Sequence, residues 1–419
     1  MKKLIKNIRH LIQVREERID KVSGAEMQNL PLLEDAWLLI EDGLICAFGR
    51  MSEDMPEAEV QIDVEGSSVI PGWVDSHTHV VFAGDRSSEF EMRIRGMSYE
   101  EIASKGGGII NSALLLRNTS EDELYAAAYG RLDGMMAMGT VAAEIKSGYG
   151  LSMESELKML RVIRRLQADH PMLIRSTFLG AHAIPPEYRE NREGYISQLI
   201  EKMLPAISNE KLADFIDVFC EKNYFTVEEM QKLLDAGWKY GLEPKVHVNQ
   251  FNNLGAVGVA VQMKARSVDH LEVISNEDIN ALLGSSTIPV ALPGCSLFIG
   301  IPYIPARQII DAGLPLALAT DFNPGSSPSG NMNLAISLAC IQMKMTPAEA
   351  INAATINGAY SMNLHEELGS ISHGKRASFI LTKPINGIAS LPYSFGQHQV
   401  KEVWIDGEVR ILNKSLPNN

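Results

Sequence analysis

The sequence predicts an α/β fold: a (βα)8 TIM-like barrel of eight parallel strands with a small β-sandwich companion domain built from both chain ends. Three observations lead there. The chain of 419 residues exceeds the usual size of one core, yet it fits a barrel of about 250 residues plus a smaller partner. Through its middle, short apolar runs alternate with longer segments of helical period, the pattern of repeated βα units and a parallel sheet. Both ends read instead as short β-rich runs separated by turns.

From Met1 to about Val69, the runs Ala36 to Ile40 and Leu44 to Phe48 flank Glu41-Asp42-Gly43, a turn between two strands. The tail repeats the pattern with Ala377 to Leu381, Val400 to Ile405 and the turn Asp406-Gly407. Boundaries of 1–69 and 366–419 for the two parts of the β-domain follow, with the barrel over 70–365. Eight barrel strands are expected: Ser68 to Ile70 running into Trp73 to Asp75, then Thr140 to Ile145, Leu173 to Leu179, Ile216 to Phe219, Pro244 to Val248, Arg266 to Val268, Ile288 to Leu292 and Leu316 to Ala319. Between them, Met153 to Ala168, Thr226 to Tyr240 and Asn253 to Met263 carry apolar residues three and four apart, as amphipathic helices do.

Composition narrows the function. With 45% hydrophobic and 21% charged residues the chain has the make-up of a soluble globular protein. A net charge of −14 argues against a nucleic-acid partner, because binding a polyanion requires concentrated Lys and Arg. Cys46, Cys220, Cys295 and Cys340 are scattered without close pairing, which suits a reducing cytoplasm. The amino-terminal segment MKKLIKNIRHLIQVREER interrupts its apolar residues with charges and reads as no secretory signal. No segment is uncharged over the roughly 20 residues that a membrane span needs.

In parallel barrels the chemistry sits at the carboxyl ends of the strands. Five of the ten histidines fall there: His77 and His79 after the first strand, His182 after the third, His247 on the fifth and His270 after the sixth, with Asp321 after the eighth. Alternate residues of an extended segment point the same way, so His77 and His79 can reach one ion. One such pair alone is weak; five histidines on one face, with the others scattered, are not. His77, His79, His247 and Asp321 are therefore the expected metal ligands. Three imidazoles and a carboxylate suit zinc or iron better than magnesium or calcium. Such an ion makes hydroxide available near neutral pH for attack on a polarised carbonyl or amidine carbon.

The stretch Val69-Ile70-Pro71-Gly72-Trp73-Val74-Asp75-Ser76-His77-Thr78-His79 resembles the first-strand signature of the amidohydrolase superfamily. Two-metal members bridge their ions with a carboxylated lysine from the fourth strand, but here that strand ends Phe219-Cys220-Glu221, which implies a single ion. Phe82 to Arg86, Glu144 to Leu151, Gly180 to Pro185 and Thr320 to Ser326 are similar to the branch that hydrolyses 4-imidazolone-5-propanoate to N-formimidoyl-L-glutamate in histidine breakdown. The resemblance covers nearly the whole chain and implies a homodimer.

The residues agree with that substrate where they can be tested. Arg86 offers the planar fork that grips carboxylates bidentately, so it is assigned to the propionate, with Tyr149 and, more weakly, Tyr99 beside it. His182 and Gln250 are assigned to the ring. Gln250 stands where single-metal deaminases often have Glu, and since Gln cannot titrate it orients rather than shuttles. Proton transfer falls to Asp321 as general base, with His270 stabilising the developing oxyanion or assisting transfer; Glu272 would orient His270. Asn323, Gly325 and Ser326 form a loop whose amides and hydroxyls could cup the new carboxylate. Lys146 is read as structural, and Gly106 to Gly108 as a lid hinge. Two rival readings remain: a deaminase of a cyclic amidine, against which Gln250 and Arg86 speak, and a catalytically dead scaffold, against which the intact ligand set speaks.

Overall fold

The computed structural model describes residues 1–97, 101, 107–397 and 399–413. Tyr99 and Gly106, both named above, lie outside the described residues. Among the described residues, sixteen strands form two sheets.

The barrel comprises β6 (Trp73–Thr78), β7 (Thr140–Lys146), β8 (Leu173–Ala181), β9 (Phe215–Cys220), β10 (Glu243–Val248), β11 (Ser267–His270), β12 (Ile288–Ala291) and β13 (Ala317–Leu318). Neighbours in that order pair in parallel. Every expected barrel strand is found, most to within two residues. The ring closes between β6 and the residues after β13: the Asp321 amide donates to the His77 carbonyl at 3.0 Å and the His79 amide to the Phe322 carbonyl at 2.8 Å. Three of the expected metal ligands, His77, His79 and Asp321, thus sit at the seam that shuts the barrel.

Amphipathic helices surround the ring, and Ser and Thr start them as the sequence pattern suggests. Ser120 and Glu123, Thr226 and Glu229, Ser275 and Asp278, and Thr346 and Glu349 form reciprocal capping boxes. The inner faces of the helices pack on the strands in one large apolar cluster that includes Leu132, Val141, Leu160, Phe178, Val218 and Leu234.

The companion sheet takes β1 (Lys2–Ile12), β2 (Leu32–Glu41), β3 (Leu44–Arg50), β4 (Val60–Asp63) and β5 (Val69–Pro71) from one end of the chain. From the other it takes β14 (Phe379–Thr382), β15 (Val400–Ile405) and β16 (Glu408–Leu412). The two ends join through β5 and β14, antiparallel, with Ile70 opposite Ile380. Hydrogen bonds from Ile45 to the Lys375 carbonyl and from Gly374 to the Ile45 carbonyl, each 2.8 Å, return β3 to the segment before β14. The sheet therefore wraps around its own apolar face, lined by Ile5, Ile8, Leu11, Leu38, Phe379 and Trp404.

Ser68 to Ile70, expected to run into the first barrel strand, falls with β5 (Val69–Pro71) in the companion sheet instead. The switch occurs at Gly72: its amide donates to Ser378 in the companion part at 3.2 Å, while the next amide, of Trp73, donates to Gly139 beside the barrel at 2.9 Å. A Cβ at position 72 would lie 2.2 Å from the Val141 side chain, so only glycine lets the chain cross between the two sheets here.

Candidate metal centre and substrate site

His77 lies on β6, His79 directly after it, His247 on β10 and Asp321 beyond β13. All four are buried. One ligand nitrogen from each of His77, His79 and His247 lies within 4.8 Å of the others. Asp321 Oδ1 stands 3.5 Å from His77 Nε2 and 3.6 Å from His79 Nε2. These separations are too long for hydrogen bonds. They match the roughly 3.4 Å between donors that share one tetrahedral ion at bonds of about 2.1 Å. His77 Nε2 and His247 Nε2 are buried without a hydrogen-bond partner, a costly state unless something else takes their lone pairs. Burial first, with the Lys146 ammonium for His77 and His182 for His79, holds both imidazoles well below their ordinary value and so in the neutral form that ligates. The four residues fit a divalent transition ion.

Two carboxylates that the sequence reading did not single out fix the ligands from behind. Asp269 Oδ2 accepts from His77 Nδ1 at 2.6 Å, and Asp217 Oδ2 lies 3.0 Å from His247 Nδ1. The Asp269 bond sets the His77 tautomer that turns Nε2 toward the centre, and Asp217 places its charge beside His247 Nδ1. Asp321 holds a left-handed backbone, φ 55°, which aspartate tolerates better than most residues.

The remaining candidates gather around this cluster. The His182 ring stacks on His79 with centroids 5.6 Å apart and 14° between planes. Tyr149 meets both rings edge-on at 5.6 and 5.3 Å. His182 Nδ1 donates to the Gly148 carbonyl at 3.0 Å, leaving Nε2 as an acceptor, and burial lowers its pKa to about 3. The Gly148–Leu151 turn is pinned by buried Glu156, which accepts the amides of Gly148, Gly150 and Leu151 at 2.8 to 3.0 Å. Gln250 donates to Cys295 Sγ at 3.4 Å. His270 lies 3.4 Å from Glu272. Burial opposes the imidazolium there, but Glu272, with Asp321 and Asp269, outweighs it and raises the His270 pKa.

Two expectations change in detail. Arg86 does reach the loop after Asp321: its Nη1 is 2.3 Å from where a Gly325 Cβ would stand, so Gly325 is the residue that admits it. The Nε and Nη2 edge of the fork, however, is taken by buried Glu89 at 2.9 and 2.5 Å. Glu89 also accepts the Gly108 amide at 3.0 Å, tying the glycine run to the same pair. In the loop itself, the Gly325 and Ser326 amides both donate to Asn323 Oδ1 at 2.8 Å. They are spent on the turn, and the cup of amides expected from the sequence does not face outward. What the loop presents is Ser326 Oγ, 3.4 Å from Asp321 Oδ2. Arg93, which donates to the Gly325 carbonyl at 2.9 Å, is a second cation there.

Glu144, Asp217, Lys245, Asp269, Glu89 and Glu156 escaped the sequence reading. The available signal was a charge in mid-strand between apolar residues, as in Ile216-Asp217-Val218; a strand buried on both faces must pair such a charge.

The family model described as "Amidohydrolase family" matches residues 68–410. The chain is 58% identical over 408 residues to the imidazolonepropionase of Flavobacterium johnsoniae, covering 97% of this chain and 99% of that one. It is 40% identical to that of Geobacillus thermodenitrificans, covering 97% of each. Among solved structures it is similar to 5-methylcytosine deaminase from Klebsiella pneumoniae, at TM-score 0.75, 14% identity and coverage of 100% and 99%. It is also similar to E. coli guanine deaminase, at TM-score 0.70, 16% identity and coverage of 99% and 100%. At these identities the two deaminases speak for the fold alone. Among the described residues no helix is long and apolar enough to cross a membrane.

Proposed function

The chain belongs to the amidohydrolase family, and from that premise we propose which of its residues carry its reaction. It hydrolyses 4-imidazolone-5-propanoate to N-formimidoyl-L-glutamate: water adds hydroxyl to the ring carbonyl carbon, the C–N bond opens, and the nitrogen takes the proton.

His77, His79, His247 and Asp321 hold one divalent ion, zinc or iron. When bound, such an ion lowers the pKa of water toward neutrality and polarises a carbonyl. Asp321 accepts the proton of the attacking water. His270, kept more basic than usual by Glu272, donates a hydrogen bond to the oxygen as charge develops on it or returns the proton to the departing nitrogen. Arg86, held rigid by Glu89, grips the propionate, and Tyr149 adds its hydroxyl. The neutral His182 and Gln250 hold the ring; Gln250 orients without moving protons. Ser326, on the turn that Asn323 and Gly325 shape, receives the new carboxylate. A homodimer in the cytoplasm completes the reading.

The observation that carries this assignment is the convergence of four ligand atoms and Arg86 on one end of the barrel. The test is to generate the imidazolone in situ and follow the decay of its absorbance together with ammonia release. Decay without ammonia is expected. A metal-replete sample that leaves the absorbance unchanged, or that releases ammonia from cytosine or guanine, would overturn the assignment.

A further inference from the structure

Beneath the metal ligands, five ionisable side chains from β7, β9, β10 and β11 meet inside the barrel. Glu144, Lys146, Asp217, Lys245 and Asp269 are each at most 1% exposed. Lys245 pairs with Glu144 Oε2, and Thr177 donates to Glu144 Oε1 at 2.6 Å. Lys146 Nζ makes three contacts: Glu144 Oε1 at 2.5 Å, Asp217 Oδ2 at 2.7 Å and Asp269 Oδ2 at 3.6 Å.

The oxygens matter. Asp217 Oδ2 is the atom facing His247 Nδ1, and Asp269 Oδ2 is the atom bonded to His77 Nδ1. One ammonium therefore stands between two carboxylate oxygens, each of which steers a different metal-binding imidazole. Three carboxylates confined in a buried interior repel one another, and two lysines offset that repulsion. Remove the ammonium that touches all three and Asp217 and Asp269 move apart, rotating both rings and spreading the Nε2 atoms.

We propose that Lys146 is a positioning residue of the metal centre, coupling Asp217–His247 to Asp269–His77 so that both imidazoles present Nε2 at the spacing that one ion requires. This rests on the metal site described above and adds the residue that sets its grip. The ammonium is a geometric brace: it touches neither ion nor substrate, and its effect appears in metal affinity and ligand field before it appears in turnover.

The test compares the wild type with Lys146→Met and with Lys146→Met/Glu144→Gln, which removes one charge of each sign and leaves both histidine-facing carboxylates, Asp217 and Asp269, in place. Each is purified as the full chain, loaded with zinc to follow metal loss to a chelator, and loaded with cobalt(II) to record the visible d–d bands. Near-UV circular dichroism of the metal-free protein reports the fold. In whichever variant folds, zinc should leave about 10 to 100 times faster and the cobalt bands should shift and weaken, while the circular dichroism matches the wild type. Wild-type zinc retention and cobalt bands in a folded variant would overturn the proposal. So would failure of both variants to fold, which makes Lys146 a residue of the core only. A wild type that binds no zinc or cobalt would instead sink the metal-site reading itself.

Discussion

Behind the metal-binding face the barrel strands turn Glu144, Lys146, Asp217, Lys245 and Asp269 inward, whereas the companion sheet closes over Ile5, Ile8, Leu11, Leu38, Phe379 and Trp404. Both interiors are shut off from bulk solvent. Taking an ion out of water costs several kcal/mol after relaxation, and a well-packed apolar interior is often the more stable solution. The companion sheet adopts that solution. The barrel keeps a charged lattice, and its contacts show what the lattice holds: two carboxylates aimed at two metal-ligand histidines. Stability can be had from either interior, but only the charged one can orient imidazoles.

Two buried lysines make the contrast at the scale of one residue. Burial opposes the Lys146 ammonium, yet Asp217, Glu144 and Asp269 overcome it and raise its pKa. Lys375, just ahead of β14, is as fully buried but donates to one carbonyl, Leu368, at 2.9 Å. Burial lowers it to about 8.

The largest effect should come from His247→Ala, which removes an ion ligand: metal content and imidazolone turnover should both fall to background while the far-UV circular dichroism is retained. Activity surviving at normal metal content would break the comparison at its root. Next come two changes of similar size in the two interiors. Lys245→Met strands Glu144 beside a single ammonium, and Phe379→Ala opens a cavity in the companion sheet; each should cost about 3–5 kcal/mol in urea unfolding. The two should part company at the metal centre, since Lys245→Met also weakens metal binding and Phe379→Ala does not. Equal metal retention in both would mean that the charged interior serves stability alone.

At the barrel mouth, Arg86→Ala should raise KM by about 10- to 100-fold, the worth of a charge-assisted pair, with metal content unchanged; loss of metal would misplace Arg86. The smallest effect is a gain. Because Lys375 binds its proton less tightly folded than unfolded, its penalty is fully present below pH 8 and fades as pH rises from about 8 to 10.5. Lys375→Met should therefore stabilise the protein by about 1–2 kcal/mol at pH 7 after the lost hydrogen bond, and the difference in Tm should narrow by pH 10. A loss of stability at pH 7 would show that the Leu368 contact outweighs the burial of charge.

How far each part was legible depends on the same physics. The eight strands and the His77–His79–His247 cluster could be read because they rest on local pattern: apolar runs of strand length, and histidines placed where those runs end. Ser68 to Ile70 was misplaced because an apolar run does not say which sheet will accept it; the Gly72 crossing depends on Val141, far along the chain. Arg86 was singled out by its place after the first strand, but its Glu89 partner was not, since a carboxylate three residues along reads equally as a solvent-exposed helix start. The Asn323 side chain closing on its own loop was hidden for a related reason, because a Gly/Ser turn and an anion cradle share one composition. The interior carboxylates needed the barrel itself, which brings Glu144, Asp217 and Asp269 together from three strands.

The joining of the chain ends has a consequence for how the protein is made. The Ser68 amide donates to the Thr382 hydroxyl 314 positions later, beside the β5–β14 pairing that completes the companion sheet. At the usual pace of translation, about 5–20 residues per second, the amino-terminal strands wait roughly 15–60 s for their partners to emerge. Throughout that interval the edge of β5 that β14 will cover has no native neighbour, and an open strand edge invites pairing with other chains. The barrel is thus synthesised inside a sheet left half-built, which makes the nascent chain a candidate for chaperone capture until its last strands leave the ribosome.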